Sequence, residues 1–235
     1  MASALLQSYI KLTEFLGHAL GPDYEVALHD LTDKNRSIIA IANRHVSGRQ
    51  VGAPLTNVAL KILRDGSYED SDYLIHYRGQ SATGKTLRCS TLFIKSGEEL
   101  IGMLCINYDD SRYRAVSEEI LRLCHPDSFV ETNFQLDEDH VTELSSGEQE
   151  ETFQNSIDAV AADAVTRELE RAGVSAEQLS ADKRLQIIQN LESSGVFLLK
   201  GAVTDVAEAL GCSKASIYRY ISQVKSDKKK EEALC

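Results

Sequence analysis

One stretch of the chain has the residue types of a phosphate-binding loop. Residues 79–86, Gly-Gln-Ser-Ala-Thr-Gly-Lys-Thr, match the pattern G-x-x-x-x-G-K-[ST], in which loop amides and a lysine bind nucleotide phosphates. That chemistry needs a buried strand before the loop and a helix directly after it, because the helix N-terminus completes the phosphate site. Here residues 87–95, which follow the lysine, alternate between apolar and polar side chains and include β-branched residues, as in a strand. Residues 71–78, which precede the loop, form only a short and polar run. We therefore interpret the stretch as a basic hairpin loop.

Other residues of catalytic or metal-binding type lack the spacing that such sites need. The six histidines form no H-x-x-x-H pair, the five cysteines form no C-x-x-C pair, and no serine is framed as G-x-S-x-G. The odd number of widely spaced cysteines also argues against a disulfide framework. We expect no catalytic residue, no metal site and no cofactor, and hence a protein that is not an enzyme.

Nucleic-acid recognition is indicated near the C-terminus. Apolar residues repeat at helical spacing over residues 203–210, Gly211 follows at the stop, and Ser213 can cap a second helix. An apolar stripe in the second helix leaves polar side chains outside, which predicts a helix-turn-helix whose second helix enters the major groove of DNA. The predicted DNA-contacting residues are Ser213, Lys214, Ser216, Tyr218, Arg219 and Gln223. The alternatives are a plain helical hairpin, or a non-DNA sensor or nucleotide-handling protein whose C-terminal helices bind a protein partner.

The charge distribution favours double-stranded DNA as a partner. The net charge of −11 argues against DNA at first sight, but it is unevenly placed. Between Gly211 and Lys230 six residues are basic and one is acidic, whereas residues 136–180 are strongly acidic. Positive charge is therefore concentrated on the segment that would face phosphate.

Polar residues that interrupt the apolar runs of the N-terminal half are candidates for binding a small-molecule effector. They are His29, Asp30, Asn43, Ser47, Arg49 and Asn107. A small polar ligand between apolar walls needs a few such groups to orient it, and Arg49 offers a bidentate fork for a carboxylate. We predict that the loop from Ser47 to Pro54 closes over the effector at one end of a sheet, where these residues converge. The alternative is that they pair with one another and stabilise the loop.

Hydrophobic periodicity predicts the elements that position these residues. Helices are expected over residues 3–20, after residue 54, and over residues 113–124, 152–171 and 182–194. Strands are expected over residues 25–31, 37–43, 73–77, 86–95 and 100–108, with the first two and the last two joined as antiparallel hairpins through short polar connections. The fold class is therefore α+β, with an N-terminal antiparallel sheet and flanking helices, like a PAS or GAF-type sensor, followed by an all-α helix-turn-helix domain.

The chain is long enough for two domains. We predict a PAS-like sensor over residues 1–132, an acidic linker over residues 133–151 with too little apolar content to fold alone, and a helical DNA-binding domain over residues 152–228. The helix expected at residues 152–171 has two interpretations, a core helix of the second domain or a dimer-forming helix. Because one short recognition helix buries little surface, we expect a homodimer or a higher homo-oligomer.

The sequence also bears on location. No apolar run approaches the length of a membrane span, and the first residues lack the basic start and cleavage site of a signal peptide. We therefore expect a cytoplasmic protein that does not interact with membranes.

Several motifs together resemble one known family. Residues 47–49 (Ser-Gly-Arg) and 51–56 (Val-Gly-Ala-Pro-Leu-Thr), with Leu-His-Asp-Leu at 28–31 and Leu-Cys-Ile-Asn at 104–107, resemble the YheO-like PAS domain. Residues 195–207, continuing through Ser-Ile-Tyr-Arg-Tyr at 216–220, are similar to the helix-turn-helix that accompanies that domain. The resemblance covers most of the chain and implies a bacterial one-component transcriptional regulator. Since the family includes a repressor of D-arginine use, it also implies an effector related to amino acids.

Overall fold

The computed structural model describes residues 4–81, 83–125 and 150–232, with side chains up to residue 226. The N-terminal part consists of helices α1 (Ala4–Leu20), α2 (Asn57–Asp65) and α3 (Ser111–Cys124) and strands β1 (Tyr24–Asp30), β2 (Ile38–Ala42), β3 (Tyr73–Gln80), β4 (Thr86–Ser96) and β5 (Glu99–Tyr108). The later part contains strand β6 (Glu151–Thr152) and helices α4 (Ile157–Ala172), α5 (Ala181–Ser193), α6 (Ala202–Ala209) and α7 (Lys214–Glu232). This order confirms the predicted α+β class.

The strands form one sheet in the order β2-β1-β5-β4-β3-β6. Neighbours run antiparallel except β6, which lies parallel to the end of β3 and pairs Glu151 with Gly79. Both predicted hairpins form, β1 with β2 and β4 with β5. Side chains alternate across a strand, so the partners Glu25 of β1 and Asn107 of β5 lie on the same face of the sheet.

Helix α1 covers the other face of the sheet. Its Leu6 is buried in a small apolar cluster with Val26, Leu28, Ile94 and Leu104. The contact is close because Gly102 has no side chain: a Cβ atom there would stand 2.6 Å from Cδ2 of Leu6. The face with Glu25 and Asn107 is therefore left for the remaining elements to cover.

A larger core joins this second face to the helices of the C-terminal part. Leu60 of α2, Ile188 of α5 and Val206 of α6 are fully buried in one continuous cluster. At its edge Arg64 forms an ion pair with Glu192 at 2.5 Å. The two predicted domains therefore share one hydrophobic core.

The helices of the C-terminal part differ in one respect from the prediction. Helix α4 begins at Ile157, not at residue 152, because Glu151 and Thr152 pair with β3 and Phe153 packs beside Gly79. Its apolar residues Val160 and Val165 are buried, which supports the interpretation as a core helix.

The predicted linker falls mostly on residues that the structure does not describe. Residues 133–149 lie outside the described ranges, while Glu151, the last residue of the predicted linker, belongs to the sheet. The division at residues 132 and 152 stays a prediction.

Candidate functional site

Polar side chains are buried between the sheet and the loop that crosses it. The loop, residues 47–54, is called the strap loop below. Six residues, called the buried polar cluster, come from β1, the strap loop, the start of α2, β5 and β6: Glu25, Ser47, Arg49, Thr56, Asn107 and Glu151. Each is at most 3% exposed. A buried polar group is costly unless it is paired, so the hydrogen bonds of each member need to be identified.

Glu25 binds the strap loop to the sheet. Its Oε2 accepts hydrogen bonds from the hydroxyl and the amide of Ser47, at 2.6 and 3.2 Å. Its Oε1 accepts a hydrogen bond from Nδ2 of Asn107 at 2.9 Å. Burial raises the pKa of Glu25, while the hydrogen bonds from Ser47 and Asn107 and the charge of Arg49 oppose the rise.

Arg49 is the cation of the cluster. Its Nη2 donates to the carbonyl oxygen of Pro54, so the guanidinium lies under its own loop. Burial lowers the pKa of Arg49, and the charges of Glu151 and Glu25 oppose this. One buried cation therefore lies close to two buried carboxyl groups.

Glu151 enters the cluster from the segment that follows the sensor. Its Oε1 accepts a hydrogen bond from the hydroxyl of Thr56 at 2.7 Å. That hydroxyl also accepts a hydrogen bond from the amide of Ala59 and caps α2. Burial raises the pKa of Glu151, opposed by the Thr56 hydrogen bond and by Arg49.

Three polar atoms of the cluster have no hydrogen-bond partner within the described part of the chain. They are Nε of Arg49, Oδ1 of Asn107 and Oε2 of Glu151. Leaving a buried donor or acceptor unpaired costs about 1–3 kcal/mol. The Glu151 carboxyl group also has the Cys89 thiol and the Tyr77 hydroxyl as neighbouring donors, which oppose the rise of its pKa. Nε of Arg49 and Oδ1 of Asn107 are therefore the clearest unpaired atoms of the cluster.

The structure brings together only some of the predicted ligand-binding residues. Ser47, Arg49 and Asn107 are in the cluster, while His29 and Asp30 lie farther along β1, opposite Met103 and Gly102 of β5. His29 is still close enough to Arg49 for the guanidinium charge to add to the effect of burial in lowering its pKa, and the hydroxyl of its partner Ser37 donates to the carbonyl of Ala53 in the strap loop at 3.3 Å. Convergence of all the predicted residues on one ligand stays a prediction.

The three predicted residues outside the cluster have local partners. Nδ1 of His29 is 2.9 Å from the hydroxyl of Ser37, and burial keeps the pKa of this imidazole well below its ordinary value. Asp30 accepts hydrogen bonds from the amide and hydroxyl of Thr32. Nδ2 of Asn43 donates to the carbonyl groups of Gly17, Gly21 and Tyr24, which fixes the chain between α1 and β1.

Sequence reasoning missed Glu25 and Glu151. Strand alternation places Glu25 on the face of Ala27 and His29, so this signal was present in the sequence. Glu151 follows an acidic, turn-rich run, and nothing in its neighbourhood indicates burial.

The raised carboxyl pKa values predict a pH dependence of stability. The folded protein binds protons more tightly at Glu25 and Glu151 than the unfolded chain does. Their contribution to the free energy of unfolding is therefore full below the ordinary pKa of 4.5 and is lost as the pH rises through the raised values. We expect the free energy of unfolding, measured with urea, to fall less between pH 5 and 8 in Glu25→Gln than in the wild type. An equal fall in both proteins would contradict this prediction.

The second predicted site is the outer face of α7. The hydroxyl of Ser213 accepts a hydrogen bond from the amide of Ser216 at 3.2 Å, as expected for a helix cap. The buried face of α7 contains Ile217, Tyr220 and Val224, and α7 packs on α5 and α6. Of the predicted DNA-contacting residues, Ser213, Lys214, Tyr218, Arg219 and Gln223 are exposed and Ser216 is half-buried. Ala215 and Ser222 are also exposed on this helix, and sequence reasoning omitted them.

The stretch with the phosphate-loop pattern is a hairpin connection between β3 and β4. The amide of Lys85 donates to the hydroxyl of Ser81, and its ammonium pairs with Asp109 at 2.7 Å. A strand, not a helix, follows the lysine. The interpretation as a hairpin loop is confirmed.

Among the described residues, no group of three or more His, Cys, Asp or Glu side chains is arranged to bind a metal ion. Within the same ranges, none of the helices combines the length and apolarity needed to cross a membrane.

Comparisons with known proteins agree with this geometry. A family model described as the YheO-like PAS domain matches residues 1–125, and a helix-turn-helix domain model matches residues 156–222. The uncharacterized protein YheO of Escherichia coli (strain K12) is 32% identical over 225 residues, which cover 94% of this chain and 85% of that protein. A Haemophilus influenzae protein is 30% identical, and the match covers 95% of this chain and 93% of that protein. Transcriptional regulator DauR of Pseudomonas aeruginosa is 22% identical, with 94% of both chains covered.

Proposed function

We propose that this chain, which belongs to the family of YheO-like PAS-domain proteins, responds to a small polar effector in its buried polar cluster and thereby changes its binding to DNA. The PAS and helix-turn-helix domains, together with the relative DauR, make it a DNA-binding transcriptional regulator. The observation that supports effector binding is the pair of unpartnered buried atoms in the cluster, Nε of Arg49 and Oδ1 of Asn107. The proposal includes action in the cytoplasm, where DNA is accessible.

The DNA-binding part of the proposal depends on α7. Its exposed face presents Lys214 and Arg219 for phosphate contacts and Tyr218 and Gln223 for base edges. The acidic remainder of the chain makes this concentration of positive charge the favoured surface for a polyanion. Binding should therefore weaken steeply with salt.

The effector part depends on the preorganised polar groups. Ser47 binds the start of the strap loop to Glu25, and Thr56, which follows the loop and caps α2, binds Glu151; all four residues are at most 3% exposed. A molecule that pairs with Nε of Arg49 and Oδ1 of Asn107 would satisfy two buried polar atoms that have no partner among the described residues. Effector binding can change DNA binding only if one arrangement of the domains binds the effector more tightly.

Replacing Arg49 with lysine tests the effector site. The substitution retains the buried charge but removes Nε and the planar fork, so we expect the effector affinity to fall by roughly ten-fold or more. The assay is DNA binding in the presence of a panel of small polar metabolites, with thermal melting to verify folding. Arg44→Lys, at an exposed position shortly before the strap loop in the same chain, is the matched control. An unchanged effector response in folded Arg49→Lys would exclude Arg49 from the site.

We also propose that the protein forms a homodimer through α3. None of the residues of this helix is buried, yet large apolar side chains form a stripe at helical spacing. They are Tyr113, Val116, Ile120 and Leu123, exposed by 61%, 59%, 55% and 84%. A second copy of the chain, packed against this stripe, would also supply the second recognition helix that an inverted-repeat operator needs.

Introducing charges on this stripe is expected to separate the dimer. Ile120→Glu with Leu123→Glu would desolvate two carboxylates in the interface, so the protein should sediment as a monomer. DNA affinity should fall by about ten-fold or more, because the half-sites would be bound independently. Glu118→Lys, on the opposite face of α3, should remain dimeric. Analytical ultracentrifugation of the wild type, the double variant and Glu118→Lys measures the oligomeric state of each. A double variant that stays dimeric would exclude α3 as the interface.

A further inference from the structure

Helix α1 covers only part of the sheet face on which it lies. It packs on β1, β2 and β5, and its Leu6 shares a buried cluster with Leu104 of β5. Leu92 of β4 is opposite Leu104, and Tyr73 of β3 is opposite Leu92, so all three residues lie on this face. Leu92 and Tyr73 are nevertheless 37% and 57% exposed. The β3–β4 half of the face is therefore open in the described part of the chain.

A bulge in β3 adds a third apolar residue to the open half. The register between β3 and β4 shifts between Leu74 and Tyr77, so Ile75 and His76 together lie opposite Ser90. The amide of His76 donates to the hydroxyl of Ser90 at 3.3 Å, and Ile75 is 44% exposed. The three exposed apolar residues are called the sheet patch below: Tyr73, Ile75 and Leu92.

The apolar stripe of α3 begins beside the same face. Tyr108 of β5 is opposite Arg88 on this face, and its ring centre is 6.2 Å from that of Tyr113 in α3. Tyr113 is still 61% exposed, and none of the residues of α3 is buried. One copy of the chain thus leaves two neighbouring apolar surfaces uncovered, and its α3 does not cover its own sheet patch.

Reciprocal packing in a two-fold dimer would cover both surfaces. In such a dimer every contact occurs twice, because each protomer presents the same surfaces to the other. Packing of α3 on α3 would use the four residues of the stripe and leave the three of the sheet patch exposed, whereas reciprocal packing covers all seven. The larger area is favoured, since a stable interface buries about 800 Å² per protomer. On the basis of the homodimer proposed above, we propose that α3 of each protomer packs on the sheet patch of the other.

Charges at the borders of the two surfaces are complementary. Arg88, two residues from Ser90 along β4, is exposed; it contacts the ring of Tyr108 at 5.1 Å and has no ion pair among the residues that the structure describes. Glu119 borders the stripe of α3, is exposed, and has Arg122 as a distant partner at 3.9 Å. Packing of α3 on the sheet patch would bring opposite charges together at its border, which favours one orientation of the helix.

The test places opposite charges on the two surfaces of the full-length protein. Leu92→Lys changes the sheet patch, and Ile120→Glu with Leu123→Glu changes the stripe. In sedimentation, we expect each variant alone to raise the dissociation constant of the dimer by roughly 100-fold, because each unpaired charge is desolvated twice. An equimolar mixture should form heterodimers, because one pairing of helix and patch is then intact and the other places lysine against glutamate. Phe15→Lys, at a 64% exposed apolar position on α1, is the matched control and should remain dimeric.

Circular dichroism and thermal melting verify the fold of each variant. Tyr73→Lys, at a more exposed position, replaces Leu92→Lys if that variant is destabilised. A Leu92→Lys protein as dimeric as the wild type, or a Phe15→Lys protein that dissociates as strongly, would overturn the packing of α3 on the sheet patch; dissociation of the α3 variant would then leave the homodimer through α3 intact. An α3 variant that stays dimeric, or a monomeric wild type, would contradict the proposed homodimer and this packing with it.

Discussion

Changing both Lys214 and Arg219 to glutamate is expected to lower the affinity for operator DNA by at least about 100-fold at physiological salt. Both side chains are exposed on α7, so the fold should tolerate the change. The guanidinium of Arg219 lies 5.4 Å from the ring centre of Tyr220, a cation–π contact with a residue of the buried face. In the proposed homodimer the double substitution removes two phosphate contacts from each protomer, so the slope of log affinity against log salt should fall in magnitude by about four. Fluorescence anisotropy over a salt series measures both quantities.

A control with the same change in net charge separates recognition from general repulsion. Lys11→Glu with Arg44→Glu alters two exposed residues of the N-terminal part. This variant should bind DNA within a few-fold of wild type. Equal losses in the two double variants would show that net charge, and not α7, determines the affinity.

Gly195→Ala is expected to lower the free energy of unfolding by about 3 kcal/mol. Gly195 has φ of 78° and lies against α2, where a Cβ atom would stand 2.5 Å from the carbonyl oxygen of Leu60. The substitution therefore combines a left-handed backbone with a clash between the two halves of the shared core. Urea unfolding monitored by circular dichroism measures the loss.

The matched control is Gly173→Ala, after α4. Gly173 has φ of 62°, but a Cβ atom there would meet nothing within 4 Å. We expect this variant to lose about 1 kcal/mol, from backbone strain alone. If both substitutions cost the same, the contact between Gly195 and α2 contributes nothing to stability.

Local patterns in the sequence were sufficient for most of the fold. Alternation predicts the two hairpins, and the helical stripe with Gly211 and Ser213 predicts the helix-turn-helix, because these signals come from residues close in the chain. The strand β6 has no such signal. It is two residues long and pairs with residues 79–80, so its existence depends on an edge formed far away in the sequence.

The prediction of ligand-binding residues has the same limit, because contacts between residues far apart in the sequence leave no local signal. Arg49, Ser47 and Asn107 were found because polar residues in apolar runs are conspicuous, but their partners Glu25 and Glu151 were not. His29 and Asp30 lie opposite Met103 and Gly102, farther along β1 than Glu25. Side-chain placement at a site depends on register, which hydrophobic periodicity alone does not provide.

Strand β6 also affects when the sheet is completed during synthesis and where the sensor can be separated from the rest of the chain by recombination. Strands β3, β4 and β5 precede Glu151 in the chain and leave the ribosome first, so the end of β3 and the space beside Gly79 stay uncovered until β6 follows them. An open strand edge on a nascent chain is a site for pairing with other chains. For the same reason, a sensor transplanted by recombination at residue 125 would leave its own sheet incomplete, whereas one that takes residues 150–155 with it would keep both the edge strand and the carboxyl group of Glu151.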